Sequence, residues 1–192
     1  PGLNFDGTDD NVAINNSSDV NMSGSMTIEF WARPSIVDGN FHWVVAKDNG
    51  NASLEYLVGI NSSNQWRFAA RNLAIDIASP ATVIAGQMYH VAAVFDGTTA
   101  TLYVNGVNVA STSSVGSVFT NTESVIIGAR TASAPMQFFA GSIDEVRIWN
   151  TARSQSQIQA AMNCDVPQQS GLVAYYRFDE GSAGGDNSGK IN

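Results

Sequence analysis

The sequence predicts an all-β fold of two antiparallel sheets packed as a sandwich. Three observations predict it. Short runs of alternating apolar and polar residues recur, roughly a dozen in all, with turn signals about every 8–12 residues. Only one segment has helical spacing, so the long helical crossovers that parallel strands need are missing. The chain has 192 residues, 44% of them hydrophobic, which is enough for one sizeable core and makes a single domain the default.

Taken in order, Asn11-Val12-Ala13-Ile14 alternates like a short strand, and Asn15 to Ser25 reads as a polar loop. Met26 to Pro34 is a clear strand. Met26, Ile28, Phe30 and Ala32 take one face; Thr27, Glu29, Trp31 and Arg33 take the other. Pro34 cannot donate to a ladder and ends it. Asp38-Gly39 and Asn49-Gly50 bracket Phe41 to Lys47. Leu54 to Ile60 and Gln65 to Arg71 flank the polar turn Asn61-Ser62-Ser63-Asn64 and form a hairpin. Met88 to Phe95 ends at Asp96-Gly97. Ala100 to Val109 holds two alternating runs about Asn105-Gly106, the pair that best tolerates the positive φ angles of a type I′ turn. Val125 to Gly128 and Ile143 to Trp149 are further strands. Ser154 and Gln157 form a capping box for one short helix, with Ile158, Ala161 and Met162 on one face. Leu172 to Phe178 is a last strand, and the Gly/Asn/Ser-rich residues 181–192 form a loose tail.

Composition excludes some partners. The formal net charge is −8 and charged residues are sparse at 14%, which argues against a nucleic-acid surface and against adsorption to anionic membranes. No run approaches a membrane span. The single Cys164 permits no internal disulfide and reads as a small semi-buried hydrophobe. The absence of a signal peptide leaves a cytosolic chain or a piece cut from a longer secreted protein, and the start at Pro1 without Met favours the piece.

Two acidic segments stand out. On the strand Ile143 to Trp149, strict alternation puts Asp144 with Val146 and Ile148, opposite Ile143, Glu145, Arg147 and Trp149. A carboxylate on an apolar face must be paired, hydrogen-bonded or bound to a cation. Near the start lies Asp6-Gly7-Thr8-Asp9-Asp10. The expectation is that the two segments meet at one structural metal site.

Five stretches resemble, in order, the LamG-like jelly-roll domains of the concanavalin A-like lectin/glucanase superfamily. They are Phe5 to Val12, Met26 to Pro34, Tyr89 to Gly97, Leu102 to Gly106, and Gly141 to Asn150. The likeness runs from about Leu3 to Met162. It implies a jelly-roll domain over residues 1–180. Residues 172–178 then either close it or open a next module. It also implies a structural calcium ion, and a role in carbohydrate binding or adhesion within a larger extracellular or cell-surface protein. Asp144 sits where the family's late strand carries a conspicuous Asp. Asp6, Asp9 and Asp144 are therefore the expected metal ligands; calcium takes six to eight oxygens from carboxylates, carbonyls and water. The competing reading has Asp6 making an Asx-turn and Asp144 pairing with Arg130 or Arg147.

Catalysis has little support in the residues. Related hydrolases carry two carboxylates on one strand as Glu-x-Asp-x-x-Glu or Glu-x-Asp-x-Glu, and no such run occurs. Asp144-Glu145 and Asp179-Glu180 are adjacent pairs whose members face opposite ways. No Gly-x-Ser-x-Gly elbow appears. The expectation is a non-enzyme. Trp43, Trp66, Arg67 and Arg71 are the candidate ligand residues, aromatic rings for stacking on sugars and guanidinium groups for hydroxyls or acids. Core packing for the tryptophans and ion pairs for the arginines are the competing readings. The expected partner is a glycan or polysaccharide, or another surface protein; the alternatives are a structural or protein-interaction module without sugar binding and, behind it, a glycoside hydrolase.

Overall fold

The computed structural model describes residues 2–49, 54–114, 116, 120–131 and 135–179. Gly50 of the expected Asn49-Gly50 turn, Glu180 and the tail at 181–192 lie outside the described residues. The strands are β1 (Leu3–Asp6), β2 (Val12–Ile14), β3 (Met26–Pro34), β4 (His42–Lys47), β5 (Tyr56–Ile60), β6 (Gln65–Ala70) and β7 (Ile75–Thr82). Then come β8 (Tyr89–Phe95), β9 (Thr99–Val104), β10 (Val107–Ser113), β11 (Val125–Ile127), β12 (Ala140–Trp149), helix α1 (Gln155–Ala161) and β13 (Leu172–Tyr176). One sheet, the front sheet, has the order β1-β12-β3-β8-β9-β10, with β13 also on β12; the back sheet runs β2-β11-β4-β5-β6-β7. The strand pairs are antiparallel throughout.

Local chemistry explains the main elements. The inward set of β3, Met26, Ile28, Phe30 and Ala32, is fully buried between the sheets. Across the gap Trp66 packs against Phe30 and Tyr89, with ring centroids 6.0 and 5.6 Å away. Burying each large apolar side chain stabilises by about 1.5–3 kcal/mol. Asn105 and Gly106 both have positive φ, 51° and 73°, as the β9–β10 turn requires. Helix α1 carries both halves of its capping box: Ser154 Oγ accepts from Gln157 N, and Gln157 Oε1 accepts from Ser154 N. Its Ile158 packs on Ala92 and Val94, on the outer side of the front sheet.

Strand β12 departs from strict alternation. Its register with β3 slips between Asp144 and Arg147, so that Glu145 and Val146 together face Phe30. Glu145 has φ of 52°, the left-handed value that a bulge residue adopts. Ile143, Val146 and Ile148 consequently all point into the core. This corrects the expected face: Asp144 pairs with the outward Trp31, away from the apolar interior.

Residues 172–176 belong to this sandwich. β13 pairs with β12 along 146–149, on the same edge where β1 takes 140–143. Leu172 and Ala174 are buried there. Cys164, expected to be semi-buried, is exposed, because segment 163–165 runs over the surface beyond α1.

A buried ion pair fastens one end of the sandwich. Lys47 at the end of β4 has a side chain with no exposure, as has Glu55, 3.4 Å away. Lys47 Nζ also donates to Asn16 Oδ1 (2.9 Å), Asn121 O (3.0 Å), Asn121 Oδ1 (2.9 Å) and Glu123 O (2.7 Å). Glu55 accepts in turn from Met22 N and Asn121 N. One ammonium and one carboxylate thus tie loops 15–22 and 120–124 to the back sheet.

Candidate functional site

The outer side of the front sheet has a closed half and an open half. In the closed half, residues 151–153, α1 and the segment after it cover Thr27, Glu29, Arg147 and Trp149, all buried. Glu29 accepts from Trp149 Nε1 at 2.8 Å and lies 3.9 Å from Arg147 Nη1. His90 Nε2 stands 3.4 Å from Glu29 Oε2, an electrostatic contact rather than an aligned hydrogen bond. Burial pushes the Glu29 carboxyl up, but His90, Arg147 and Trp149 together hold it below its ordinary value. Arg147 also donates to Glu145, to Ala161 O (3.0 Å) and to Cys164 O (2.8 Å). Tyr175 donates to the same Glu145. These carboxylates are committed to holding the covering segment.

Cover from the segment after α1 reaches Trp31, whose Nε1 donates to Met162 O at 2.6 Å. Beyond it lies a groove of about 440 Å³ lined by Asn4, Arg33, Pro34, Ser35, Ala85, Gly86, Gly141 and Ser142. Strand pairing builds its polar floor. Asn4 lies opposite Ser142, and Ser142 lies opposite Arg33. An amide, a hydroxyl and a guanidinium therefore stand in one row across β1, β12 and β3. Arg33 Nε donates to Gly86 O at 2.7 Å, which fixes the guanidinium against the 84–88 loop. Gly141 keeps the floor low: its φ is 136°, and a Cβ there would lie 2.1 Å from Arg33 O. The next row holds Asp144, Trp31 and His90. Trp31 alone among the tryptophans is more than marginally exposed; Trp43, Trp66 and Trp149 are 0–2% exposed.

The acidic turn stands beside the groove. Ligand oxygens of Asp6, Asp9 and Asp10 lie within 4.8 Å of one another, and all three residues are exposed. That spread is compatible with carboxylates bound to one calcium ion at about 2.3–2.6 Å each. Three carboxylates are a hard donor set of the kind calcium takes, so the residues fit the ion. Asp6 Oδ1 also accepts from Thr8 N (2.7 Å), making an Asx-turn, and Asp6 N donates to Asp10 Oδ2 (2.8 Å). The third carboxylate, Asp10, stands where the sequence reading has Asp144. Asp144 is elsewhere: Asp6 lies opposite Ala140, four positions before Asp144, or about 13 Å along an extended strand. The two segments do pair, but their register keeps Asp144 from the turn. Asp144 pairs with neither expected arginine. Arg130 binds Asp48 at 2.6 Å, and Arg147 faces Glu29 and Glu145. Burial pushes the Asp144 carboxyl up to about 6; the Glu145 N–H opposes this and the Glu145 carboxylate adds to it.

The expected ligand residues are distributed differently. Trp66 is 1% exposed and lies in the core, so its ring offers no face to a sugar. Arg71 is not on β6 with Arg67 but in a 3₁₀ turn, Arg71–Leu73, that follows the strand. Trp43 and Arg67 do come together on the outer side of the back sheet. The Arg67 guanidinium lies 5.7 Å from the ring centroids of both Phe41 and Trp43, and Asp76 grips it at 2.7 and 2.8 Å. Trp43 is only 2% exposed, stacked under Phe41 at 5.6 Å, and donates Nε1 to Gln137 Oε1. The groove residues Asn4, Arg33 and Ser142 were missed. The alternation of β3 does place Arg33 on the outer face; the register that joins it to Asn4 and Ser142 is not written in any local motif.

Comparison with known proteins fits this architecture. The sequence pattern described as the concanavalin A-like lectin/glucanases superfamily (Laminin_G_3) matches residues 6–159. The chain belongs to that superfamily. Its description joins lectins and glucanases, so the fold serves both binding modules and hydrolases. Pappalysin-1 of Mus musculus is 27% identical over 161 residues, covering 72% of this chain and 10% of that protein. A candidate carbohydrate-binding protein from Bacteroides ovatus superposes with a TM-score of 0.75 at 18% identity, covering 92% of this chain and 52% of that one. The heptameric SAP-like pentraxin of Limulus polyphemus gives 0.65 at 17% identity, covering 93% and 88%. At such identities the superfamily likeness to these structures carries the fold alone. Among the described residues, no helix is long and apolar enough to cross a membrane.

Proposed function

We propose that this chain is a non-catalytic glycan-recognition or adhesion module of a larger extracellular protein, binding sugar in the groove on the front sheet. The cross-strand row Asn4–Ser142–Arg33 carries the reading. Sugars are recognised by convergent amide, hydroxyl and guanidinium groups in a cleft of about 300–1,000 Å³, and this groove falls in that range. The Bacteroides ovatus likeness supports the same class. The groove's lining includes no carboxylate, whereas glycoside hydrolysis needs a pair flanking the bond.

Calcium is the scaffold in this reading. Asp6, Asp9 and Asp10 would hold it, and when bound it supplies positive charge that relieves repulsion among the three carboxylates. The turn follows β1, which presents Asn4 to the groove, so ordering one orders the other.

A glycan array probed with calcium present tests the function. Binding to a defined polysaccharide class that Ser142→Tyr abolishes supports it; binding that survives this obstruction refutes the groove. A second reading, a protein-interaction module, draws on the exposed Ile36, Ile84 and Met88, chain neighbours of the groove lining. Silence across the array favours it.

A further inference from the structure

We infer that the groove selects a carboxylate-bearing, uronate-type glycan, with Arg33 as the residue that reads the acid. This deepens the glycan reading and rests on it.

The argument starts from charge. The chain has 17 acidic residues against 9 lysines and arginines, so a basic group finds a carboxylate easily. Most do. Arg67 binds Asp76, Arg130 binds Asp48, Arg147 binds Glu145, Arg177 binds Asp165 and Asp179, and Lys47 binds Glu55. Among the described residues Arg33 has no such partner; its hydrogen bond goes to a backbone carbonyl, Gly86 O. Arg71 is also without a carboxylate, but it is not part of the groove. Arg153 lies over the Trp149 ring at 3.9 Å. An acidic chain thus leaves one guanidinium un-neutralised in a groove.

Geometry sharpens the inference. The Nε bond to Gly86 orients the guanidinium plane and leaves the Nη1/Nη2 pair for a ligand. Two parallel N–H groups match the two oxygens of a carboxylate, a planar fit that a lysine ammonium does not offer. Asn4, Ser35 and Ser142 are placed for ring hydroxyls, and the exposed Ala85 and Gly86 add a small nonpolar patch. The carboxylate in the neighbouring row, Asp144, does not line the groove, and its Oδ1 accepts from Glu145 N.

The test uses matched probes: short oligomers of galacturonate, alginate and hyaluronan, each against its own carboxyl-reduced counterpart, by calorimetry at fixed ionic strength. At least one acidic oligomer should bind tenfold or more tightly than its reduced form. Arg33→Gln should erase that difference, Arg33→Lys should keep part of it, and Arg71→Gln should leave it whole. Equal or tighter binding of the reduced forms overturns the acid assignment while the glycan reading stands. Equal weakening by Arg71→Gln overturns it too, since diffuse charge would then be the cause. If no oligomer binds in either form and the neutral glycans of the array are also silent, both inferences fall.

Discussion

Lys47→Met removes a fully enclosed positive charge and keeps most of the side-chain volume. The ammonium's contacts with four oxygens vanish, and Glu55 is left with no exposure and no cation. Breaking a buried pair by removing one partner costs about 3–5 kcal/mol. For a domain of this size about 2–4 °C of melting temperature is lost per kcal/mol, so the midpoint should fall by roughly 6–20 °C. The loss should depend on pH. Burial already pushes the Glu55 carboxyl above its ordinary range, and Lys47 opposes this. Without Lys47 the folded pKa rises further above the unfolded one. The variant then loses stability as pH climbs from the unfolded value through the folded one, and loses least in acid, where both states are protonated. Calorimetric melts of wild type, Lys47→Met, Glu55→Gln and the double variant at pH 5 and 8 measure all of this. The double variant should be more stable than Lys47→Met at pH 8, because it no longer buries a lone charge. A midpoint shift below about 2 °C, or strictly additive effects, would show that Lys47 and Glu55 do not act as a unit.

Calcium should raise the melting temperature, through a stabilisation that grows with the logarithm of its concentration and reaches about 2.7 kcal/mol at a hundredfold excess over its dissociation constant; Asp9→Asn should remove that response, seen as melts that no longer differ between calcium and EDTA. Asp144→Asn should leave the calcium response intact. It should instead stabilise at pH 8 and not at pH 3: the Asp144 carboxyl is raised in the fold, so its ionised form costs stability as pH rises from about 4 to about 6 and beyond. The gain is at most about 3 kcal/mol, and about 1 after solvent screening, read from melts at the two pH values. Gly141→Ala should lower the melting midpoint by several degrees or prevent folding, since its Cβ has no room beside Arg33 O and its φ is 136°.

What could be read from the sequence was what local chemistry determines. The alternation of Met26 to Pro34 gave both faces of β3, Asn105-Gly106 gave a hairpin, and Ser154 with Gln157 gave the helix start. β1 was hidden because four residues are too few to show a period, and β7 because Pro80 interrupts it; as the edge of the back sheet, β7 tolerates a proline. The bulge at Glu145 had no sequence mark, since glutamate is not a residue that announces a positive φ. The acidic cluster was legible because its carboxylates are neighbours in the chain. The groove was not, because Asn4, Arg33 and Ser142 are joined only by the register of three distant strands.

The bulge is also what lets one strand serve both halves of the front sheet. Under strict alternation, placing Ile143 in the core would turn both Val146 and Ile148 outward. The added residue restores the phase, so Ile143, Val146 and Ile148 all stay inside. It then leaves two outward groups on either side of the step. Asp144 faces the open half beside Trp31, and Arg147 faces the closed half, where Glu29, Ala161 O and Cys164 O surround it. Glu145, at the step itself, is held by both Arg147 and Tyr175, which ties β13 to the bulge. The segment that covers the sheet is thereby anchored just short of the groove. Glu145 thus marks the boundary between the covered half of the front sheet and its open half.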